Sequence, residues 1–538
     1  MKKVFKLFAF LLFSVMMANS FIGCGPVWEN KVDPTKTQLY VGLYEGGWGS
    51  DWLYKAVDVF SDKYPDYQVF VVPKKDEYKY AQLQNSIESD ICDVYITECD
   101  YNGYIANGSL LEITNAVTEP LSEFGEDESI EAKLPQQYQN FYEYENKYYA
   151  VPFGSSIWAI NYDVDLFEEE SLYFGKNGGW VGVVNGKWTG EKSLGRDGLP
   201  NTYDDGTPVT WEEFQKLLNR MRQKQVLPFI WSKEVGYRQN IFLSMYADHV
   251  GEEQFNKLLN ELCGEFTTQA GEKVEVTPET GYLAAKNDGK RAALDLAYEV
   301  ISKGYYDTDG EGMKFTEAQD RYLESKRRKT EGSGERIAFL LEGGHWYNEA
   351  KATNESYINQ FYPEYTEKGR RFSIMPFPQC YGNTSDTATY LESSYEFCMF
   401  VNKKTSVPEI AKLFLQFMNS DEMIRLSTRM SGIRRIAQCE LEQEDIEAMP
   451  YYYQVIHEIA SSDKADIVST LNRTAYYINE PSRRNIISWI YSGTVSVSGK
   501  SITLGEPLKT FTDYMKDGLT VDMWMDATIN YWSNAGRW

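Results

Sequence analysis

The sequence predicts an α/β protein with at least two lobes, and three observations lead to this expectation. The chain has 538 residues, far more than one hydrophobic core usually holds. Residues 39–96 alternate short apolar strands with helical periodicity, which is typical of a βαβαβ run. The apolar run Ile337–Leu341, closed by Glu342, Gly343 and Gly344, indicates a second buried strand ending in a tight turn. We therefore expect two sheets, with ligand contacts beyond the carboxyl ends of their strands.

The composition excludes several classes of function. The chain is 42% hydrophobic and 25% charged, which is typical of a folded domain and not of a disordered one. Its formal net charge is −25 and no basic stripe interrupts it, so we expect no nucleic-acid partner. The 40 tyrosines and 13 tryptophans offer apolar faces with a polar handle, which suits a neutral, hydroxylated ligand.

The N-terminus predicts export. Lys2, Lys3 and Lys6 form a basic segment before the apolar run Leu7–Met17. That run is too short to span a bilayer, so residues 1–23 are predicted to be a signal peptide.

The end of this segment predicts a lipid anchor. Phe21-Ile22-Gly23-Cys24 resembles the lipobox of bacterial lipoproteins, although Phe21 stands where leucine is usual. The resemblance implies that Cys24 carries a palmitate-type acyl group. Residues 24–37 would then tether the fold to the extracellular face of the cytoplasmic membrane. An ordinary signal peptide followed by an unmodified cysteine is the alternative.

Candidate ligand contacts follow the strands of the first lobe. The first strand leads into the glycine-rich loop Tyr44–Gly49, which carries Trp48. The strand Ile91–Ile96 is followed by Glu98 and Asp100. Carboxylates at this place either accept hydrogen bonds from ligand hydroxyls or cap the following turn.

A second set of candidates follows the buried strand at Ile337–Leu341. Glu342, His345 and Trp346 lie directly beyond it, where a ligand is expected. The two glycines between them would let the backbone approach that ligand closely. Two interpretations of Trp346 stay open: a ring that contacts ligand, or a core aromatic beside an ordinary Gly-Gly turn.

The order of these segments resembles that of the extracellular solute-binding proteins, the sugar-binding lipoproteins of ABC importers. The matches span roughly residues 38 to 435. Each is short, and it is their order that makes the resemblance specific. The matching segments are Tyr64-Pro65, Asp93–Ile96, Tyr148–Pro152, Trp158–Phe167, Glu335–Trp346, Phe372–Pro378 and Tyr395–Val401.

The resemblance implies a two-lobed periplasmic-binding-protein-like fold of type II, with a ligand cleft between lobes joined by crossover hinges. The first lobe would comprise residues 38–153 and 392–432, and the second lobe residues 154–391 and 433–538. The implied ligand is a carbohydrate, more specifically an oligosaccharide, which a monomer without cofactor delivers to the permease subunits of an ABC transporter. The implied ligand-binding residues are Trp48, Glu98, Asp100, Trp158, Tyr237, Glu342, Trp346 and Tyr395.

A calcium loop is a weaker implication of the same resemblance. Some solute-binding proteins carry such a loop near the position of Arg196–Gly206, which holds Asp197, Asp204 and Asp205. Glycine and proline occupy places where an EF-hand would have ligands. This departure favours a solvated acidic turn, so no metal is expected.

The alternatives are an enzyme on the same scaffold, because fold does not fix function, and a binder of a non-sugar solute. The fold resembles that of thiaminase-type enzymes, which use a cysteine nucleophile, and Cys99 beside Asp100 is the one candidate. An acidic neighbour disfavours the thiolate that such a reaction needs. The sequence contains no zinc-hydrolase motif, nucleophile elbow or dinucleotide fingerprint. We therefore predict a binding protein and not an enzyme.

Overall fold

The computed structural model describes residues 32–74, 80–98, 101–392, 397–469 and 493–534. The chain forms two α/β lobes, each built on a six-stranded mixed sheet. In chain order, the strands of the two sheets are β1 (Thr37–Tyr44), β2 (Tyr67–Lys74), β3 (Val94–Thr97), β4 (Ala150–Ser155), β5 (Ile157–Asp163), β6 (Val226–Ile230), β7 (Arg336–Gly343), β8 (Phe372–Met375), β9 (Ala388–Glu392), β10 (Phe397–Val401), β11 (Arg434–Arg435) and β12 (Ala465–Ser469).

The first sheet has the strand order β11-β4-β10-β3-β1-β2. Strand β1 is parallel to β2 and β3, as the βαβαβ run predicts, whereas β10 is antiparallel to β3 and β4. The helix Asp51–Lys63 covers this sheet because Trp52, Leu53, Ala56 and Phe60 lie on one face at helical spacing and are all buried.

The second sheet has the order β6-β7-β5-β9-β12, with β8 also paired to β5. All eight residues of β7 are buried, which confirms the buried strand predicted at Ile337–Leu341. It lies between β6, to which it is parallel, and β5, to which it is antiparallel. The turn after β7 therefore starts at the centre of the second lobe.

The described strands require the chain to pass between the two sheets three times. The first passage is Ser156, between β4 and β5; the second joins β9 to β10; the third runs from β11 to β12. The predicted lobe boundaries need correction at each passage. The first lobe extends to Ser155, residue 392 belongs to the second sheet, and Ala437 still packs in the first-lobe core. Short polar segments stand at the passages, such as Ser155-Ser156 and Arg434-Arg435, but similar segments also occur inside each lobe, so the sequence pattern does not mark the change of sheet.

Helices cover both sheets. Those of the first lobe are Asp51–Lys63, Tyr80–Ser86, Tyr101–Asn107, Thr114–Thr118, Ile130–Lys133, Gln136–Tyr142, Pro408–Met418 and Asp421–Ser431. Those of the second lobe and the third passage are Val164–Glu170, Trp211–Gln223, Val235–Phe255 (interrupted at Gly251), Asp288–Ser302, Phe315–Thr330, Trp346–Glu349, Lys351–Phe361, Gln443–Ala448, Tyr451–Ala460, Pro507–Tyr514 and Val521–Ser533. Short 3₁₀ or π turns occur at Ser122–Phe124, Asn256–Asn260, Gly281–Lys286, Thr308–Gly312, Pro363–Tyr365 and Met515–Asp517.

Small antiparallel hairpins lie outside the two sheets. They pair Glu143–Tyr144 with Lys147–Tyr148, Tyr173–Phe174 with Trp180–Val181, Val183–Val184 with Lys187–Trp188, Gly264–Thr267 with Lys273–Val276, and Thr494–Val497 with Lys500–Thr503.

The glycine-rich segment 175–210 is fixed to the second lobe by a buried ion pair. The guanidinium of Arg196 lies 2.6 Å from the Asp248 carboxylate, and both side chains are almost fully buried. The C-terminal residues 493–534 also pack on the second lobe, through Leu508, Phe511 and Trp524. No helix within the described ranges has the length and apolar character needed to cross a bilayer.

Candidate functional site

The turn after β7 places His345 at the boundary between the lobes. The His345 amide donates to Ser156 Oγ at 2.9 Å, and its Nδ1 lies 3.1 Å from the same oxygen. Ser156 is the residue of the first passage, so the imidazole is held where the chain leaves one sheet and enters the other.

Aromatic rings from both lobes surround this imidazole. The ring centroids of Trp48, Trp158 and Tyr237 lie 6.1, 5.8 and 5.9 Å from that of His345. Trp48 belongs to the first lobe, the other two to the second, and we call these four residues the His345 cluster. Phe397, at the start of β10, packs edge-on against Trp48 at 4.6 Å. The cluster is thus an aromatic contact between the lobes.

Two glycines make room for the imidazole. A Cβ added to Gly47 or to Gly343 would lie 2.7 Å from a ring carbon of His345, closer than real side chains approach. The loop around Gly47 is also joined to the second lobe, because Asn348 Nδ2 donates to the Gly47 carbonyl at 3.1 Å. Sequence analysis expected the glycines after β7 to let the backbone approach a ligand. In the structure, Gly47 and Gly343 instead make room for the His345 ring.

Burial shifts the pKa of both titratable groups nearest the cluster in the direction that favours their neutral forms. Burial lowers the pKa of His345 to about 4. Burial, followed by the nearby Glu349 carboxylate, raises the pKa of Glu342 well above its ordinary value. Glu342 Oε1 accepts from the Gly343 amide at 3.4 Å and lies 3.8 Å from His345 Nε2. Both pKa shifts disfavour a charge at this place, which suits an uncharged ligand.

Trp158 supplies a hydrogen-bond donor that the described part of the chain does not use. Its side chain is 1% exposed, and its Nε1 has no partner among the described residues. Its ring also packs on Tyr237, with centroids 5.3 Å apart. A buried N–H without an acceptor is costly, so an acceptor on a ligand at the cluster would be favourable.

The position of Trp346 corrects one sequence-based assignment. The indole lies in the second-lobe core, against Tyr322, Phe372 and Tyr452. Its Nε1 donates to Asn161 Oδ1 at 3.0 Å. Its ring lies outside the His345 cluster, so the interpretation as a core aromatic is the one that the structure favours.

The remaining predicted residues divide into two groups. Trp48, Trp158 and Tyr237 are brought together with His345, Glu342 lies beside them, and Glu98 is half-buried just after β3 in the first lobe. Asp100 and Tyr395 lie outside the described residues, as do Cys24 and the candidate nucleophile Cys99. Their roles stay predictions.

Sequence analysis did not assign Ser156, Asn348 or Phe397 to the site. The sequence contains an indication for Ser156, since this residue lies next to the predicted crossover between the lobes. Asn348 joins the lobes through Gly47, about 300 residues away in the chain, and Phe397 packs on Trp48 within the first lobe from about 350 residues away. No local pattern marks such residues.

The turn 196–206 has an exposed tip at residues 198–201, but Asp197 and Asp204 are buried and are not arranged around a cation. Asp204 is 1% exposed, and its Oδ2 accepts from the amides of Arg196 and Asp197 at 2.7 and 3.2 Å. Burial and the neighbouring Asp197 raise the pKa of Asp204 to about 6. No three acidic, histidine or cysteine side chains in the described ranges form a metal-binding group. The carboxylate of Asp204 caps its own turn.

Solved structures with this fold include several solute-binding proteins. Maltose-bound T. maritima MalE3 aligns with a TM-score of 0.54 and 14% identity over 92% of this chain and 98% of that chain. Apo RafE from Streptococcus pneumoniae aligns with a TM-score of 0.51 and 14% identity, over 90% and 100%. A probable secreted solute-binding lipoprotein from Streptomyces coelicolor aligns with a TM-score of 0.53 and 11% identity, over 94% and 100%.

These likenesses show the fold: two α/β lobes of the solute-binding-protein type, over nearly the whole chain. The neighbours are binding proteins and not enzymes. No protein-family model and no curated protein sequence matches this chain.

Proposed function

We propose that this protein is a lipid-anchored substrate-binding protein that captures a carbohydrate outside the cell and delivers it to the permease of an ABC transporter. The observation that carries the proposal is the His345 cluster. It lies between the two lobes, is rich in aromatic rings, and burial disfavours a charge on its titratable groups. The likeness to proteins solved with maltose and with raffinose, and to a chitin-oligosaccharide-binding protein, supports a saccharide as ligand.

The chemistry of the cluster fits a sugar ring. Trp48, Trp158 and Tyr237 offer apolar faces on which the C–H faces of a pyranose ring stack. The unused Nε1–H of Trp158 donates a hydrogen bond to a ring or hydroxyl oxygen, and the Glu342 carboxyl, which already accepts from the Gly343 amide, lies beside the rings to pair with a ligand hydroxyl. Burial of these groups between the lobes excludes water, which strengthens each hydrogen bond.

Ligand capture would couple to movement of the lobes. Trp48 reaches the cluster from the first lobe, and His345, Trp158 and Tyr237 reach it from the second. Hinge motion at the three passages would separate these rings and admit the ligand, and closure would bury it. A transporter permease would then distinguish the closed, loaded form from the open one.

A thermal-shift screen tests the ligand class. The protein is heated with mono- and oligosaccharides, and with amino acids and peptides as controls. A saccharide at a hundred times its dissociation constant should stabilise the fold by about 2.7 kcal/mol. Stabilisation by saccharides alone supports the proposal, whereas stabilisation by amino acids or peptides alone would replace the carbohydrate with another solute.

A fractionation experiment tests the anchor separately. The wild-type chain and the Cys24→Ser variant are expressed in a bacterium and labelled with a palmitate analogue. We expect label and membrane association in the wild type only. Equal membrane association without label in both proteins would contradict lipidation at Cys24.

A further inference from the structure

A second cavity lies at the third passage of the chain between the lobes. Its volume is about 310 Å³, at the lower end of the range for small-molecule sites. One wall is the helix Asp421–Ser431 of the first lobe and the opposite wall is the helix Tyr451–Ala460 of the second lobe. Residues from the connecting segment 432–450 complete the lining. No residue of the His345 cluster lines it.

The walls of this hinge cavity are mainly apolar. Its apolar lining residues include Ile424, Ile433, Leu441, Met449, Tyr453 and Ile456. A ligand with an apolar body would be stabilised in proportion to the apolar surface that it buries there.

The charged residues that line the cavity are arginines. Arg434 and Arg435 contribute to the lining, and no aspartate or glutamate does, although the chain as a whole carries a formal charge of −25. The exclusion of acidic side chains at this place makes the cavity suitable for an anion.

Arg435 is a buried cation that pairs with no carboxylate of the described residues. It is 5% exposed, and its guanidinium donates to the carbonyls of Phe153 and Met418, the Ser427 hydroxyl and the Asn419 side-chain oxygen. All four acceptors are neutral, and burial lowers the pKa of Arg435 to about 9. A buried charge is costly unless an opposite charge lies near it, so an anion in the adjacent cavity would be stabilised.

Two hydrogen-bond donors of the lining are unused by the described residues. The hydroxyl of Tyr453 has no partner there, and the residue is 5% exposed. Arg434 Nε also has none, although another nitrogen of the same guanidinium pairs with Glu392. Each donor suits one oxygen of a carboxylate.

We propose that the hinge cavity is a second ligand site, which binds a small amphipathic monocarboxylate with its apolar body on the isoleucine and leucine side chains and its carboxylate toward Tyr453 and Arg434. Both lobes contribute walls, so the occupant contacts both. It therefore stabilises the arrangement of the lobes in which the cavity is formed.

The first experiment measures binding of octanoate, hexanoate and benzoate to the full chain by calorimetry, with octanol, hexanol and benzamide as uncharged analogues. We expect a carboxylate to bind and its analogue to bind at least tenfold more weakly. The proposal is overturned if the neutral analogues bind equally well. It is also overturned if no carboxylate binds at about 10 mM, ten times a weak millimolar dissociation constant.

Three variants locate the site. Tyr453→Phe removes only the unused hydroxyl, so the fold should be as stable as the wild type while carboxylate affinity falls roughly tenfold. Ala460→Trp, at the exposed end of the cavity wall, should abolish binding by filling the space. Tyr451→Phe, on the same helix but outside the lining, should bind like the wild type. Carboxylate binding that neither Tyr453→Phe nor Ala460→Trp weakens would overturn the assignment to this cavity.

Discussion

The two lobes meet at the His345 cluster and at a second, chemically opposite place. There Glu392, the last residue of β9, is fully buried and accepts hydrogen bonds from Tyr138, Ser155 and Arg434. Ser155 precedes the first passage, Glu392 precedes the second, and Arg434 precedes the third. One carboxylate therefore ties together all three passages, and we call these four residues the Glu392 cluster.

The two clusters differ in how far their polar groups are already paired within the chain, and this difference indicates which one joins the lobes and which one binds a ligand. In the Glu392 cluster both carboxylate oxygens have partners within the chain, so the group has little left to offer a ligand. In the His345 cluster the contacts are between ring faces and edges, burial disfavours a charge on the titratable groups, and Trp158 Nε1 has no acceptor among the described residues. The Glu392 carboxylate is therefore saturated by the chain itself, whereas the His345 cluster keeps a donor for a ligand.

Removal of the Glu392 carboxylate should have the largest effect. Glu392→Ala leaves Arg434 partly buried without its counter-ion, so we expect a loss of about 3–5 kcal/mol in the free energy of unfolding. Denaturant unfolding measures it. The control is Glu88→Ala, which removes the exposed partner of Lys404 and should change stability by no more than about 0.5 kcal/mol. Equal effects of the two substitutions would contradict a structural role of the Glu392 cluster.

The buried imidazole should make stability depend on pH. The pKa of His345 is about 4 in the fold and 6.5 ordinarily, so between these values the unfolded chain binds a proton that the folded chain does not. Stability should therefore fall as the pH is lowered from 6.5 to 4, by up to about 3 kcal/mol from this group.

The comparison that isolates this contribution is His345→Gln. The other titratable groups are the same in both proteins. The difference between the two unfolding free energies, measured from pH 4 to pH 7, therefore gives the contribution of the His345 imidazole. Parallel pH profiles would show that the imidazole is not held neutral by burial.

A smaller effect is expected from Trp158→Phe on saccharide affinity. Phenylalanine keeps an aromatic face but loses the Nε1–H, so affinity should fall about tenfold, the loss of one hydrogen bond. Calorimetry with the saccharide found by the thermal-shift screen measures it. The matched control is Trp231→Phe, because Trp231 Nε1 also has no partner among the described residues while its ring stacks on Tyr306 at 4.7 Å. Equal losses from both substitutions would argue against a specific role of Trp158.

The smallest effect on affinity is expected from Trp346→Phe. The indole packs inside the second-lobe core and donates to Asn161, so the substitution should reduce stability while saccharide affinity changes less than about twofold. Melting curves and calorimetry on the same variant separate the two quantities. A large loss of affinity with an unchanged melting temperature would restore Trp346 to the binding site.

Local pattern predicted an α/β protein with at least two lobes and part of the candidate site, whereas the solute-binding-protein fold was implied by the order of the segments that resemble that family. An unbroken apolar run predicts β7, and a strand's carboxyl end is where Trp48 and Glu342 were expected and where they lie. Local pattern did not decide whether the Trp346 ring contacts ligand or packs in the core. Adjacent residues in a turn face different directions, so sequence alone could not decide that His345 lies at the lobe boundary and Trp346 in the core.

Long-range contacts explain the other differences. Asp204 was expected in a solvated turn because its neighbours are glycine, proline and aspartate. It is buried because Arg196, in the same segment, pairs with Asp248 on a helix about 50 residues away. The lobe boundaries were displaced for a similar reason, since pairing between Ser155 and Arg434 sets them and has no local signature.

The most direct test of the binding account is a crystal structure of the protein with the saccharide that stabilises it most. We predict a sugar ring between the lobes in contact with Trp48, Trp158 or Tyr237, and an oxygen of that ring or its hydroxyls within hydrogen-bond distance of Trp158 Nε1. A saccharide bound elsewhere, with the His345 cluster unchanged and its rings still in contact, would contradict the account.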